Sequence, residues 1–105
     1  MTILARLQTA TGPDRALDAA IAVHLGWEQR DDWWHSPDGI STLTQCPYFT
    51  GSIDAAASLF SGGYVLDCRR IPPVVHLAGR TVGHAGATPA LALCIAWAAE
   101  NTDVK

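Results

Sequence analysis

Gly83-His84-Ala85-Gly86-Ala87-Thr88-Pro89-Ala90-Leu91-Ala92-Leu93-Cys94 is the stretch that decides how this chain is read. Glycine crowds its front half and alanine and leucine its back half, so a loop passes into a helix at Thr88-Pro89. A threonine hydroxyl at that junction accepts a hydrogen bond from a first-turn N–H. A proline just inside it gives up an N–H that the helix does not use. The helix is predicted to run to about Glu100. Its apolar residues go most of the way round, which predicts packing on more than one side.

Pro47-Tyr48-Phe49-Thr50-Gly51-Ser52-Ile53-Asp54-Ala55-Ala56 has the same form. Ser52 reads as the cap, and Ile53, Ala56, Ala57 and Phe60 fall at i, i+3, i+4 and i+7 before Gly62-Gly63 stops the helix. Upstream, Ile3, Leu4 and Leu7 mark a short helix over Thr2 to Ala10, broken by Gly12-Pro13. The next helix carries Leu17, Ile21 and Leu25. Pro13 suits its first position, Thr11 or Gly12 its cap, and Gly26 its stop.

Between these helices the period changes to two. Asp32 to His35 and Ile40 to Thr44 read as strands around the turn Ser36-Pro37-Asp38-Gly39. Tyr64 to Ile71 and Val74 to Ala78 read as a second pair around Pro72-Pro73, followed by a loop over Gly79 to Gly86. The order is α-α-β-β-α-β-β-α. Hairpins with helices in blocks predict an α+β fold, a single layered α/β sandwich spanning residues 1–105.

Of 105 residues 16% are charged, well below the usual ~25%, and 49% are hydrophobic. A surface so poor in charge leans towards a homo-oligomer. The formal net charge of −3 and the lack of a basic run argue against a duplex nucleic-acid partner. Cys46, Cys68 and Cys94 are far apart and form no CxxC pair, which argues against a zinc site or a disulfide framework and for reduced thiols in a cytoplasmic setting. The N-terminus shows no signal-peptide pattern, and no run approaches the ~20 apolar residues of a membrane span. No metal and no cofactor is expected.

The two quoted stretches, with Thr11-Gly12-Pro13-Asp14-Arg15, Leu17-Asp18-Ala19-Ala20-Ile21-Ala22, Leu25-Gly26-Trp27 and Pro37-Asp38-Gly39, resemble the phage ABA sandwich domain family of small phage and prophage proteins. Each motif is short, but in order they span most of the chain. The Trp33-Trp34-His35 cluster lies outside the pattern. The resemblance implies a layered α/β fold and a phage or prophage setting. It supplies no catalytic residues.

The loop around Arg80, Gly83, His84 and Gly86, ending on Thr88, is the first candidate site. Glycines allow close backbone approach, a helix N-terminus favours an anion, and Arg80 offers a bidentate phosphate contact. Its plain alternative is a flexible connection with a Thr-Pro helix start. Tyr48, Thr50 and Ser52 form the second candidate, with an aromatic to stack on a base and hydroxyls to reach a phosphate. Its alternative is helix capping and stapling. Trp33 and Trp34, adjacent on a strand, must face opposite ways, so one belongs to the core and the other meets a subunit, a layer or a ligand. Trp34 and Arg70 complete the candidate set, Arg70 reading equally as an ion pair, an exposed strand end or an anion site.

These features predict a non-enzymatic accessory protein that sequesters a small anionic, nucleotide-type ligand such as a host immune signal. A protein-interaction or virion-assembly module is the alternative. A small nucleotide hydrolase ranks third, because no nucleophile-elbow motif is present.

Overall fold

Thr88 and Pro89 start the helix that the rest of the molecule wraps. The computed structural model describes residues 2–60, 62–78 and 82–101. In it α4 spans Pro89–Ala99, with Thr88 Oγ1 accepting from the Leu91 N–H at 3.2 Å. Every residue from Ala90 to Ala98 is buried. Such a helix needs cover on all sides. Helices α1 (Ile3–Thr9) and α3 (Ile53–Ala57) pack on it, and so do strands β5 (Val74–Leu77) and β6 (Gly83–Ala85). Burying Leu91, Leu93 and Ile95 stabilises the fold by about 1.5–3 kcal/mol each.

Helix α2 (Arg15–His24) packs on α1 and brings the His24 ring edge-on to Trp97, with centroids 5.9 Å apart. Its stop is a Schellman turn. Gly26 takes φ +100°, its N–H donates to the Val23 carbonyl, and the Trp27 N–H donates to the Ala22 carbonyl. Its start differs from the expectation of a Thr11 or Gly12 cap with Pro13 inside the helix. The cap is Asp14, whose carboxylate accepts from the Ala16 and Leu17 N–H groups, and Pro13 stays outside. An ionised oxygen aimed at two first-turn donors outcompetes the hydroxyl of Thr11.

The strands form two antiparallel three-stranded sheets. One has the order β1 (Glu28–Arg30), β2 (Trp33–His35), β3 (Thr42–Leu43), and the other β4 (Tyr64–Asp67), β5, β6. The element order agrees with the α+β expectation, with one added strand per sheet. Strand β1 has no apolar alternation to reveal it. It pairs through a two-residue turn in which Asp31 (φ 54°) and Asp32 (φ 66°) both adopt left-handed backbone, between the partners Arg30 and Trp33. Strand β6 falls within the stretch expected to be a loop. His84 pairs with Val75 and Gly83 with His76, so the glycines there serve a ladder.

Tyr64, Leu66, Val75, Leu77 and His84 share one face of the second sheet by register, and Val75 on that face is fully buried. Strand β4 ends at Asp67, earlier than expected, because the Asp67 carboxylate turns back to accept from the Arg69 N–H at 3.0 Å. Arg70 therefore lies on a turn. In the first sheet only Trp34 among the strand residues is buried, while Trp33 is 46% exposed. The two tryptophans do face opposite ways, and Trp34 is the core member.

Gly86 marks where the second sheet touches α4. A Cβ built on it would lie 2.5 Å from the Ala92 nitrogen and 2.7 Å from its Cα, both backbone atoms of a buried helix. Neither can give way. Gly62 is the opposite case, with nothing within 4 Å of its Cβ position. Gly86→Ala is expected to cost at least the ~1–3 kcal/mol of core overpacking, and Gly62→Ala to stay within about 0.5 kcal/mol of the parent. Urea denaturation of both variants checks this.

Candidate functional site

The Tyr48–Ser52 candidate is occupied by the fold itself. Thr50 is 1% exposed, and its N–H and Oγ1 reach Asp18 Oδ1 at 2.7 and 2.8 Å. Thr50 Oγ1 also accepts from the Asp14 N–H at 2.8 Å. Asp18, equally buried, holds Arg15 Nη1 at 2.6 Å through its other oxygen. Arg15 then donates to the Cys46 carbonyl at 2.8 Å and lies 3.9 Å from the centroid of the Tyr48 ring. Gly51 seats on Pro13, and the Cys94 thiol donates to the Phe49 carbonyl at 3.2 Å. Ser52 caps α3 through the Ala55 N–H. Arg15 and Asp18 are three apart on one helix, a spacing visible in the sequence. Their link to Thr50, more than thirty residues on, is not.

The residues around 79–88 divide. Arg80 lies outside the described residues, as do Gly79 and Thr81. Gly83 and Gly86 serve packing: a side chain on Gly83 would meet Val74 and the His76 ring, and one on Gly86 would meet α4. Thr88 is committed as the cap. Of the N–H groups that a helix start leaves without intrahelical partners, Pro89 has none and that of Leu91 goes to Thr88. His84 turns along α4, its Nε2 3.2 Å from Glu100 Oε1. Arg70, 67% exposed, pairs with Asp67 at 3.5 Å, and Arg69 reaches the same carboxylate at 3.6 Å. Those contacts hold the Asp67 carboxyl below its ordinary range, the Arg69 N–H bond contributing most. Trp34 lies in the core. The described candidate residues therefore do not converge on one site.

A different hollow has the form of a ligand site. It measures about 280 Å³ and lies between the end of α3, the β4–β5 pair and the last turn of α4. Leu59, Phe60, Leu77, Ala78 and Trp97 wall it, Gly62 and Gly63 leave its side open, and Glu100 and Asn101 stand at its polar end. Two of its rings are braced from behind, Phe60 by Tyr64 at 5.7 Å between centroids and Trp97 by His24. Sequence reasoning assigned Phe60 to a helix face and gave Trp97, within the last helix, no separate role. What it lacked was the pairing that brings Leu77 beside both. The glycine pair was a visible signal, read only as a helix stop.

Among the described residues no group of three or more His, Cys, Asp or Glu is placed to hold a metal ion. No described helix is long and apolar enough to cross a membrane. The thiols at Cys46 and Cys94 are buried, and burial pushes both upward, Cys94 to about 12 with a further contribution from the Asp18 charge. Neither is an activated nucleophile at neutral pH.

Two measurements test these assignments. Asp18→Ala strands the buried Thr50 N–H and frees Arg15, and is expected to cost about 3–5 kcal/mol in chemical denaturation. The raised Cys94 value means the folded state keeps a proton that the unfolded chain releases near its ordinary value of 9.0. Stability should therefore be full below pH 9.0 and fall as pH rises towards about 12. Cys94→Ala should flatten that slope in denaturation midpoints measured across the alkaline range.

Comparison of the chain with protein-family models, with curated proteins and with solved structures gives no match.

Proposed function

We propose that this chain is a non-catalytic binding protein that holds a small molecule in the cleft between α3, the second sheet and the end of α4. The phage or prophage accessory role implied by its motifs is part of the same proposal. The observation that carries the reading is the cleft itself, an open hollow of mixed lining with two braced aromatic rings among its walls and polar side chains at one end. Small-molecule sites combine apolar and aromatic walls with a few polar groups. The raised pKa of the buried thiols and the commitment of Thr50, Ser52 and Thr88 to capping and bridging support binding over chemistry.

This reading keeps sequestration and moves its location. Phosphate binding by Arg80 at the start of α4 gains no support from the described neighbours of that residue, which are used in packing and capping. The cleft carries a carboxylate and, among its described lining residues, no cation.

A second reading, contact with another copy or another protein, is favoured by Ile40, Val65, Ile71 and Trp33, large apolar side chains left on the surface. A sedimentation series over concentration tests it, with a concentration-dependent shift in mass expected if the chain self-associates.

Gly62→Phe is the discriminating variant for the cleft, because Gly62 lines it and a Cβ there meets nothing within 4 Å. Screening a small aromatic fragment set by calorimetry and ligand-observed NMR should give binders to the parent protein that are lost in Gly62→Phe with unchanged thermal stability. Equal binding by the two proteins would place the ligands elsewhere and overturn the reading.

A further inference from the structure

We infer that a second copy of this chain joins the open edge of the first sheet, β1 pairing antiparallel with its counterpart about Gln29 to make one continuous sheet across a two-fold axis. The inference rests on the self-association reading and names the edge and the register through which the copies meet.

Strand β1 leaves that edge available. Among the described residues it pairs only with β2, and Glu28, Gln29 and Arg30 are all exposed. The turn at Asp31-Asp32 fixes which backbone groups face outward. Arg30 and Trp33 flank a turn with left-handed backbone at both central positions, so these two residues exchange hydrogen bonds across the hairpin. Bonded and non-bonded pairs then alternate along the ladder, which makes Gln29–Trp34 the non-bonded pair and Glu28–His35 bonded again. The N–H and the carbonyl of Gln29 therefore point away from β2, one donor and one acceptor on the open side. Two such edges related by a two-fold axis at Gln29 satisfy each other's donor and acceptor.

The charges then select the register. Glu28 and Arg30 project from the sheet face that carries Trp33 and His35, and Gln29 from the other. With Gln29 on the axis, Glu28 of each copy stands opposite Arg30 of the other. Sliding one copy along the edge until the outward backbone groups are again in phase sets Arg30 opposite Arg30, or Glu28 opposite Glu28. Opposite charges facing across strands stabilise a sheet and like charges destabilise it. The slide that joins Glu28 to Glu28 also calls on the Trp27 N–H, which is already donated to the Ala22 carbonyl. An edge that only kept copies apart would carry charges of one sign. Within one copy Arg30 Nε lies 3.5 Å from Glu28 Oε2 with both side chains exposed, a pair worth little and readily exchanged for the cross-copy pairs. Trp33, 46% exposed, sits opposite Arg30 on β2 and sets a large ring beside each ion pair, where a guanidinium stacks well. So short an edge buries less than the ~1,200 Å² of a stable interface, so the dimer is weak and forms with rising concentration.

Sedimentation equilibrium of the full chain at concentrations up to about 1 mM tests the inference. The parent is expected to show a monomer–dimer equilibrium. Glu28→Arg and Arg30→Glu each set like charges opposite one another at both ends of β1, and each should weaken the dimer by about ten-fold or more. The double variant Glu28→Arg/Arg30→Glu should recover it, because exchanging the two signs preserves every pairing. An equimolar mixture of the two single variants should form a heterodimer, one edge then carrying only cations and the other only carboxylates. Circular-dichroism melting of each variant checks that these exposed substitutions leave the fold unchanged. A parent that dimerises together with single variants that dimerise equally well would place the contact on another surface, so that self-association stands and the β1 edge falls. A double variant or a mixture that stays monomeric would also overturn the edge and its register. A parent that is monomeric throughout overturns both the edge and the self-association reading.

Discussion

A single buried carboxylate ties the two halves of this protein together. Asp18 is closed off from solvent, yet its oxygens are filled by the Thr50 N–H and hydroxyl on one side and by Arg15 on the other. A charge in that position is tolerated only when its partners are all present. It therefore constrains the chain at long range: the segment from Cys46 to Thr50 must return to the start of α2, or the carboxylate is stranded. Once it returns, Arg15 reaches the Cys46 carbonyl, the Cys94 thiol meets the Phe49 carbonyl, and α3 begins at Ser52 against α4.

This explains which parts of the fold were legible. Most residues whose role is local were read correctly, the Asp14 cap of α2 and the Asp67 turn being the exceptions. Ser52 and Thr88 cap the helices they precede, Gly26 ends α2, and the apolar circumference of α4 requires the double packing that it has. Roles fixed across the chain were not legible. Thr50 has the composition of a ligand-contacting loop residue, and only the distant Asp18 makes it a bridge. Gly86 has the look of a phosphate-loop glycine, and only the approach of Ala92 shows that α4 occupies its missing side chain. Strand β1 reads as charge, Glu28-Gln29-Arg30, and its pairing depends on two aspartates accepting left-handed backbone, a conformation that a sequence pattern does not announce.

The candidate site follows the same division. Its walls come from α3, β5 and α4, which meet only because α4 is sandwiched between helices and sheet. The sequence carried a trace of it in Gly62-Gly63, where two glycines exceed what a helix stop requires. The helix-start loops attracted attention because bare N-termini bind anions, but the Thr88-Pro89 start is not bare. A capping hydroxyl and a proline are two ways of using up the same donors that an anion would need.

The placement of α4 also bears on how the molecule reaches this state. Its centre is supplied by the last described helix in the sequence, and that helix is covered by α1, among the earliest residues. Neither hairpin nor the α1–α2 pair can bury much apolar surface before α4 arrives, so the entropy of closing a long stretch of chain is spent before most of the stabilisation is returned. The consequence is folding in one late, cooperative step, and a chain cut anywhere ahead of Thr88 would keep its helix-forming and strand-forming tendencies with nothing to organise them.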